Sequence, residues 1–130
     1  MTLFAKAIGI QEGFGIPGKI PTIRHNRGDL RHGPHMHHPG GPGHANDVGT
    51  ADTVEEGDAD LERQLQIFAA EQLTIRQAIY VYLGVPKDAT AEQVAAAPDH
   101  NNVGIYLAGV CKTLGLQPEA LVSEALKLQA

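Results

Sequence analysis

Apolar residues recur at helical spacing at both ends of this chain but not in the stretch between them. The first stripe comprises Leu3, Phe4, Ala7 and Ile8. It predicts a helix over residues 2–12, and similar stripes return from about residue 55 onward. Helices with one apolar face must bury that face against one another. The chain is therefore expected to fold mainly as helices around an irregular insert.

Two capping boxes mark helix starts in the second half. In "TIRQ" Thr74 stands three residues before Gln77, and in "TAEQ" Thr90 stands three residues before Gln93. Each pair satisfies backbone amides that lack partners at a helix start. Pro118 suits the first turn of a last helix. The inward face predicted for that helix is Leu121, Val122, Ala125 and Leu126.

The insert between the helices carries its own signals. Residues 13–31 indicate an irregular extended stretch, because glycines and prolines interrupt the helical spacing. Residues 32–44, "HGPHMHHPGGPGH", are expected to form a flexible loop rich in His, Gly and Pro. The following "DVGTADTVEEG" has partial alternation that suits a short strand or hairpin. We therefore predict a single α+β domain over residues 1–130, mainly α, with a small irregular or β insert after the first helix.

Composition narrows the class of protein. The chain has 130 residues and a formal net charge of −5, with no run of Lys or Arg. A basic nucleic-acid-binding face is therefore not expected. No segment reaches the roughly 20 apolar residues that a membrane-spanning helix needs. The N-terminus lacks the pattern of a secretory signal, so we expect synthesis in the cytoplasm without a signal peptide. The one cysteine, Cys111, excludes an intramolecular disulfide.

Four motifs cover nearly the whole chain in a defined order. They are "AIGIQEGFGIPGKIPTIRHNRGDLR", "GTADTVEEGDADLERQL", "LTIRQAIYVYLGV" and "NNVGIYLAGVCKTLGL". In these motifs the chain resembles the lysozyme-like superfamily, and most closely small phage and prophage muralytic domains related to lytic transglycosylases. The resemblance implies a lysozyme-like fold: a helix ending in a glutamate, a glycine-rich turn, an extended lobe and a helical bundle.

The chain departs from the family pattern in its extended lobe. The asparagine-rich turn of the family is reduced to His25-Asn26-Arg27, where Arg27 takes the place of a proline. Asp58 takes the place of an aromatic residue in the second motif. These changes bear on substrate binding more than on the fold.

Glu12 is the candidate catalytic residue. Cleavage of a glycosidic bond needs an acid that protonates the leaving oxygen. At neutral pH that carboxyl needs a raised pKa, which an apolar wall supplies. Ile8 lies one turn before Glu12 and Phe14 follows closely, so we expect them to form such a wall. Position alone favours a solvated glutamate at a helix end; the resemblance implies the acid.

Four further residues are candidates for substrate binding. Asp29, in "GDLR", is the first candidate for a second carboxylate, although an aspartate that caps a turn is at least as good an interpretation. Arg24 and Asn26 are candidates for lining the sugar groove, with backbone turn geometry as the alternative for Asn26. Tyr106 matches the family tyrosine that faces the acid across the cleft, with a tyrosine at the margin of the core as the alternative. Tyr80 and Tyr82 are interpreted as packing residues.

The histidines of the loop raise the alternative of a metal-binding protein. Those within it are His32, His35, His37, His38 and His44. Their intervals lack the regularity of a built metal site, and the glycines and prolines around them disfavour a rigid cage. We therefore expect no metal and no cofactor.

The function that the resemblance implies is cleavage of peptidoglycan between MurNAc and GlcNAc. The enzyme would be a lytic transglycosylase or a lysozyme of a phage or prophage. It would act at the bacterial cell wall or periplasm, as an endolysin or within a virion beside other virion proteins. The alternative is a virion structural protein or glycan-binding module that has the same scaffold but no activity.

Overall fold

A computed structural model describes residues 1–38, 48–97 and 100–130. These residues form a mainly helical structure, which confirms the class that the apolar spacing predicts. Their helices are α1 (Leu3–Glu12), α2 (Ile20–Ile23), α3 (Val54–Ala70), α4 (Ile75–Tyr82), α5 (Ala91–Ala96), α6 (His100–Leu114) and α7 (Val122–Ala125).

A hydrophobic core joins the helices. Its fully buried members include Phe4 and Ile8 from α1, Leu61 and Leu65 from α3, and Val110 from α6. Burial of each such side chain contributes about 1.5–3 kcal/mol. The core therefore fixes α1 against α3 and α6.

The first helix begins and ends where its sequence signals place the caps. The Thr2 hydroxyl accepts a hydrogen bond from the amide of Ala5 at 3.2 Å. Gly13 ends the helix in the left-handed conformation, with φ of 80°. This conformation costs glycine little. Glu12 is therefore the last residue of α1, and the helix predicted over residues 2–12 is confirmed.

Both predicted capping boxes are present. The Thr74 hydroxyl accepts from the amide of Gln77 at 3.1 Å, and the Gln77 side chain accepts from the Thr74 amide at 3.0 Å. The corresponding distances for Thr90 and Gln93 are 3.2 and 2.8 Å. Because these bonds satisfy amides in the first turn, α4 and α5 begin at the residues that the sequence indicates.

The insert differs in two ways from its prediction. Part of the stretch expected to be irregular forms α2, whose first turn holds the buried Pro21; proline suits that position because its missing amide would have no partner there. Within the described residues no strand forms. Extended pairing in the insert is the isolated bridge between His37 and Thr50, with both backbone bonds at 2.8 Å.

Backbone hydrogen bonds join the first part of the insert, after α2, to its last part, before α3. The Ala51 amide donates to the Arg24 carbonyl at 3.0 Å, and the Gly49 amide donates to the Leu30 carbonyl at 2.9 Å. The segment that follows α2 is thereby held beside the segment that precedes α3.

The described half of the His/Gly/Pro-rich segment is fastened to α3. Asp60, 3% exposed, accepts from the amide of His35 at 2.8 Å and lies 2.6 Å from its ring Nδ1. Gly33 lies against Asp60 so closely that a Cβ would overlap the carboxylate. The loop predicted over residues 32–44 is thus anchored at its start. Its remainder, including His44, lies outside the described residues.

The last helix is shorter than predicted. It begins at Val122 rather than near Pro118, and Leu121 is 46% exposed instead of buried. The carbonyls of Pro118 and Ala120 accept hydrogen bonds from two amides in the first turn of α4, at 2.9 and 2.8 Å. Amides at a helix start have no partner within their own helix. The segment before α7 forms a turn, in which the Ala120 amide donates to the Gln117 carbonyl at 3.0 Å, and it stays out of the helix because its carbonyls cap α4.

Gly57→Ala tests the contact between α3 and the insert. Alanine favours a helix over glycine by about 1 kcal/mol, but a Cβ at Gly57 would overlap the backbone carbonyl oxygen of His25. We expect the free energy of unfolding, measured by urea denaturation, to fall by roughly 1–3 kcal/mol.

Gly104→Ala is the matched control. Gly104 is exposed on α6, and nothing lies within 4 Å of the position of its Cβ. Alanine there should raise the free energy of unfolding by about 0.5–1 kcal/mol. Equal stabilisation by both substitutions would contradict the close approach of α3 to His25.

Candidate functional site

Glu12 and Tyr106 meet although 94 positions separate them in the chain. The Tyr106 hydroxyl, on α6, donates to Glu12 Oε2 at 2.6 Å, and Tyr106 is 6% exposed. Burial first, and then the Glu12 carboxylate, raise the pKa of Tyr106 well above its ordinary value. The phenol therefore stays protonated at neutral pH and serves as a fixed donor. The structure thus brings together the candidate acid and the candidate tyrosine.

A glycine lies at the contact between the helices that carry this pair. Gly109 lies one turn after Tyr106 on α6, and the end of the Gln11 side chain occupies the space where a Cβ would stand. A larger residue would displace that flexible side-chain end. Gly109 thus gives Gln11 room against α6 beside the Glu12–Tyr106 contact.

A groove passes Glu12. Two cavities of about 580 and 350 Å³ adjoin, because Glu12 and Leu83 line both of them. Asp29 and Tyr82 also line the larger cavity, and Tyr106 lines the smaller one. Glu12 therefore stands between two open spaces rather than at the end of one.

The groove continues beyond Asp29. A third cavity of about 280 Å³ shares Asp29, Arg31, Val81 and Tyr82 with the largest one. It extends as far as Phe68 of α3. The three cavities form a continuous groove, which we call the Glu12 groove.

The apolar wall beside Glu12 is built from residues other than those predicted. Ile20, Val81 and Leu83 line the groove with Glu12, whereas Ile8 lies in the core. Phe14 lies beneath the Arg27 guanidinium, 4.2 Å from its ring centre.

Asp29 combines three features that are uncommon in a residue with only a structural role. Its φ is 53°, in the left-handed region. Its Oδ1 atom is buried and has no hydrogen-bond partner. Burial raises the pKa of the carboxyl, against the lowering effect of Arg24 and Arg31. Left-handed backbone and unpaired buried oxygens cluster at functional sites, so the groove position of Asp29 fits a binding role.

Tyr82, interpreted as a packing residue, packs against the core as predicted, and it also lines the groove. Its hydroxyl donates to the carbonyl oxygen of Gly28. Burial, followed by the charges of Glu12 and Asp29, raises its pKa well above the ordinary value. Tyr82 is the last residue of α4, and its side chain lies at the groove wall. In the sequence, the sign of this position is a tyrosine at the end of a predicted helix.

Asn26 and Arg24 lie behind the groove rather than along it. Asn26 is fully buried; its amide donates to the carbonyls of Leu30 and Gly49 at 2.8 and 2.9 Å, and its Oδ1 accepts from the Leu30 amide at 2.9 Å. Arg24 donates to the Val48 carbonyl at 2.6 Å. Neither residue lines the Glu12 groove. For Asn26 the structure favours the alternative interpretation, backbone geometry, over contact with a sugar.

The two departures from the family pattern pair with each other. Arg27 Nε donates to Asp58 Oδ1 at 2.8 Å, and Nη2 donates to Oδ2 at 3.3 Å. The same guanidinium covers Phe14, in the turn that follows Glu12. Arg27 therefore ties that turn to α3. Neither the spacing nor the composition of the sequence signalled this pairing.

The histidines that the structure describes make separate contacts. His35 binds Asp60, His37 Nε2 lies 3.4 Å from Asp52, and His38 Nε2 donates to the Arg31 carbonyl at 2.6 Å. The described residues bring together no group of three or more His, Cys, Asp or Glu side chains with the geometry to hold a metal ion. None of the described helices has the length and apolar character that crossing a bilayer requires.

Comparison with known proteins gives no relative from which a role could be transferred. No family model, curated protein or solved structure matches this chain. The geometry of the groove and the motif resemblance are therefore the basis for any functional proposal.

Asp29→Asn tests whether burial raises the pKa of the Asp29 carboxyl. Asparagine tolerates the left-handed conformation and resembles the protonated acid. Because the folded pKa of Asp29 is raised above 3.8, the acid favours folding most at low pH, where it is protonated in both states. As pH rises through 3.8 and then through the folded pKa, that contribution is lost.

The free energy of unfolding of the wild type relative to Asp29→Asn should therefore fall as pH rises from 3 to 7 and then level off. Urea denaturation over that range measures it, and the pH 3 value is the internal reference. If the free energy of unfolding of the wild type relative to Asp29→Asn instead rises with pH, the fold stabilises the ionised carboxylate and the pKa of Asp29 is lowered.

Proposed function

We propose that this chain cleaves peptidoglycan glycan strands between MurNAc and GlcNAc on a lysozyme-like fold, with Glu12 as the catalytic residue. The observation that carries the proposal is the position of the Glu12 carboxylate between two adjoining open cavities, held by a buried tyrosine. The order of the four motifs supports the same assignment. A groove that passes the acid on both sides suits a polymer that is cut internally.

Glu12 acts first as a general acid. It protonates the glycosidic oxygen as the bond to C1 of the MurNAc residue breaks. The transition state carries positive charge on the ring, which the carboxylate left by proton transfer stabilises. Tyr106 fixes the rotamer of Glu12, so the carboxyl approaches the leaving oxygen from a set direction.

Glu12 then acts as a general base. In a lytic transglycosylase it takes the proton from the 6-hydroxyl of the same MurNAc, which closes a 1,6-anhydro ring. In a lysozyme a water molecule takes the place of that hydroxyl. The substrate's N-acetyl group supplies what a second carboxylate would otherwise supply. Asp29, in the same groove, is the residue that would serve a water-dependent route.

Asp29, Tyr82 and Tyr106 contact the glycan in this proposal. The Asp29 carboxyl lines the groove and accepts a hydrogen bond from a sugar hydroxyl or amide. Tyr82 and Tyr106 form the two walls on either side of Glu12. Arg24 and Asn26 act indirectly, because they hold the backbone that carries Asp29.

The biological setting that fits this activity is a phage or prophage. The enzyme would reach the cell wall during lysis as an endolysin, or through a virion in contact with other virion proteins. The alternative is a protein of the same scaffold that binds glycan or builds the virion without cleaving. A wild type that binds purified walls without releasing fragments would establish that alternative.

Glu12→Gln is the decisive substitution. Glutamine keeps the shape of the side chain and accepts the Tyr106 hydrogen bond, but it cannot donate a proton to the leaving oxygen. The rate of clearing of purified cell walls should fall at least about 100-fold. Mass spectrometry of the products made by the wild type distinguishes a 1,6-anhydro end from a reducing end.

Glu71→Gln is the matched control, since Glu71 is exposed at the C-terminal end of α3, outside the groove. Its clearing rate should equal that of the wild type. If Glu12→Gln clears cell walls as fast as the wild type, Glu12 is not the catalytic residue and the proposed mechanism is wrong.

Tyr106→Phe tests the positioning of Glu12. The ring stays, and only the hydroxyl that donates to Glu12 Oε2 is removed. We expect kcat to fall about tenfold, which corresponds to one hydrogen bond of roughly 1.4 kcal/mol, with little change in KM. The alkaline limb of the pH–rate profile should move to higher pH, because the phenol favours the ionised carboxylate.

Tyr80→Phe is the matched control, because it removes a tyrosine hydroxyl outside the groove. Tyr80 packs partly buried against the core, and its loss of a hydroxyl should leave kcat and the pH profile unchanged. A Tyr106→Phe enzyme with an unmoved alkaline limb would limit Tyr106 to a packing role.

A further inference from the structure

We propose that the end of the Glu12 groove around Arg31 binds a carboxylate carried by the glycan. The proposal rests on the function proposed above and adds a basis for selectivity. It concerns the third cavity, of about 280 Å³, which Arg31 lines together with His32 and Gln64. Because this cavity continues from the one that holds Glu12, a strand cut at Glu12 would extend into it.

Arg31 has the charge that such a site requires. Of the described residues that line the three cavities, Arg31 alone carries a permanent positive charge. The whole chain has a formal net charge of −5, so most of its surface repels an anionic polymer. Asp29 shares the cavity and lies close enough to Arg31 for the two charges to interact, but Asp29 is half-buried, whereas Arg31 is exposed. The permanently charged side chain that is most accessible to a ligand at this end is therefore Arg31.

The backbone of Arg31 is fixed while its side chain remains available. The preceding residue, Leu30, is bound through its amide and its carbonyl by Asn26. The Arg31 carbonyl accepts a hydrogen bond from His38 at 2.6 Å. Within the described part of the chain, the guanidinium forms no ion pair within 4.0 Å, unlike Arg27, which binds Asp58. A guanidinium on an anchored backbone loses less entropy when it binds a ligand.

The donor geometry indicates the class of ligand. The planar fork of a guanidinium matches the two oxygens of a carboxylate. In peptidoglycan such carboxylates come from the lactyl ether of MurNAc, when no peptide is attached, or from the stem peptide. Chitin has the same β-1,4 backbone of N-acetylated sugars but no carboxylate. Arg31 therefore favours peptidoglycan over chitin.

The test measures binding without cleavage, in the Glu12→Gln protein. Fluorescently labelled strands of matched length are compared by anisotropy: peptidoglycan with stem peptides, peptidoglycan stripped by an amidase, and chitin. Adding Arg31→Gln should weaken binding of a carboxylate-bearing strand about tenfold, the effect of roughly 1.4 kcal/mol, and leave chitin binding unchanged. Adding Arg63→Gln, which removes an exposed arginine of α3 outside the groove, should change none of the three.

The outcomes separate the two proposals. Loss confined to stripped strands identifies the lactyl carboxylate, and loss confined to peptide-bearing strands identifies the stem peptide. Equal loss on all three strands or no loss on any overturns the role of Arg31 and leaves glycan binding intact. Binding of chitin alone, or failure of the Glu12→Gln protein to bind any of the strands, overturns both this inference and the proposed function. Thermal midpoints that agree within a few degrees exclude unfolding as the cause.

Discussion

The side chain of Asn26 holds one wall of the groove. A primary amide has two donors and an acceptor with two lone pairs, and Asn26 uses them to bind both backbone groups of Leu30 and the carbonyl of Gly49. Breaking such bonds in a fully buried position would leave polar groups unsatisfied, at about 1–3 kcal/mol for each group. The turn that presents Asp29 and Arg31 is thus fixed from behind by a residue that no ligand touches.

The position of Glu12 depends on a contact between α1 and α6, in which the Tyr106 hydroxyl donates to the Glu12 carboxylate. At Gly109 the absence of a Cβ gives the end of the Gln11 side chain room against α6. Gly57 has a stricter role on α3, because its backbone approaches the His25 carbonyl so closely that no Cβ would fit. The groove is therefore assembled from chain segments that are distant in sequence.

These two kinds of constraint explain which features could be predicted from the sequence. Helix starts and ends follow local rules, so the caps at Thr2, Gly13, Thr74 and Thr90 were predictable. The meeting of Glu12 and Tyr106 followed from family resemblance, because nothing local relates residues so far apart. The turn before Val122 was missed because its partners, the first amides of α4, are more than 40 positions away. The groove position of Tyr82 was missed because helical spacing indicates a packed side chain, as the structure has it, but cannot show that the helix ends at a groove.

Arg27 and Asp58, the two residues that depart from the motif pattern, bind each other and fix the turn that follows Glu12. Each residue alone would place a charge in a half-buried position, which is costly unless it is paired. Together they form a two-point ion pair, and the guanidinium also covers Phe14. An ion pair of this kind depends on the side-chain geometry of both partners. It therefore cannot be predicted from the spacing or the composition of the sequence. Its effect is local: it fixes the turn that follows Glu12, just as Asn26 fixes the turn that carries Asp29. The two turns that carry or follow the acidic groups of the groove are thus fixed by residues that do not line it, while the exposed Arg31 guanidinium is left available to a ligand.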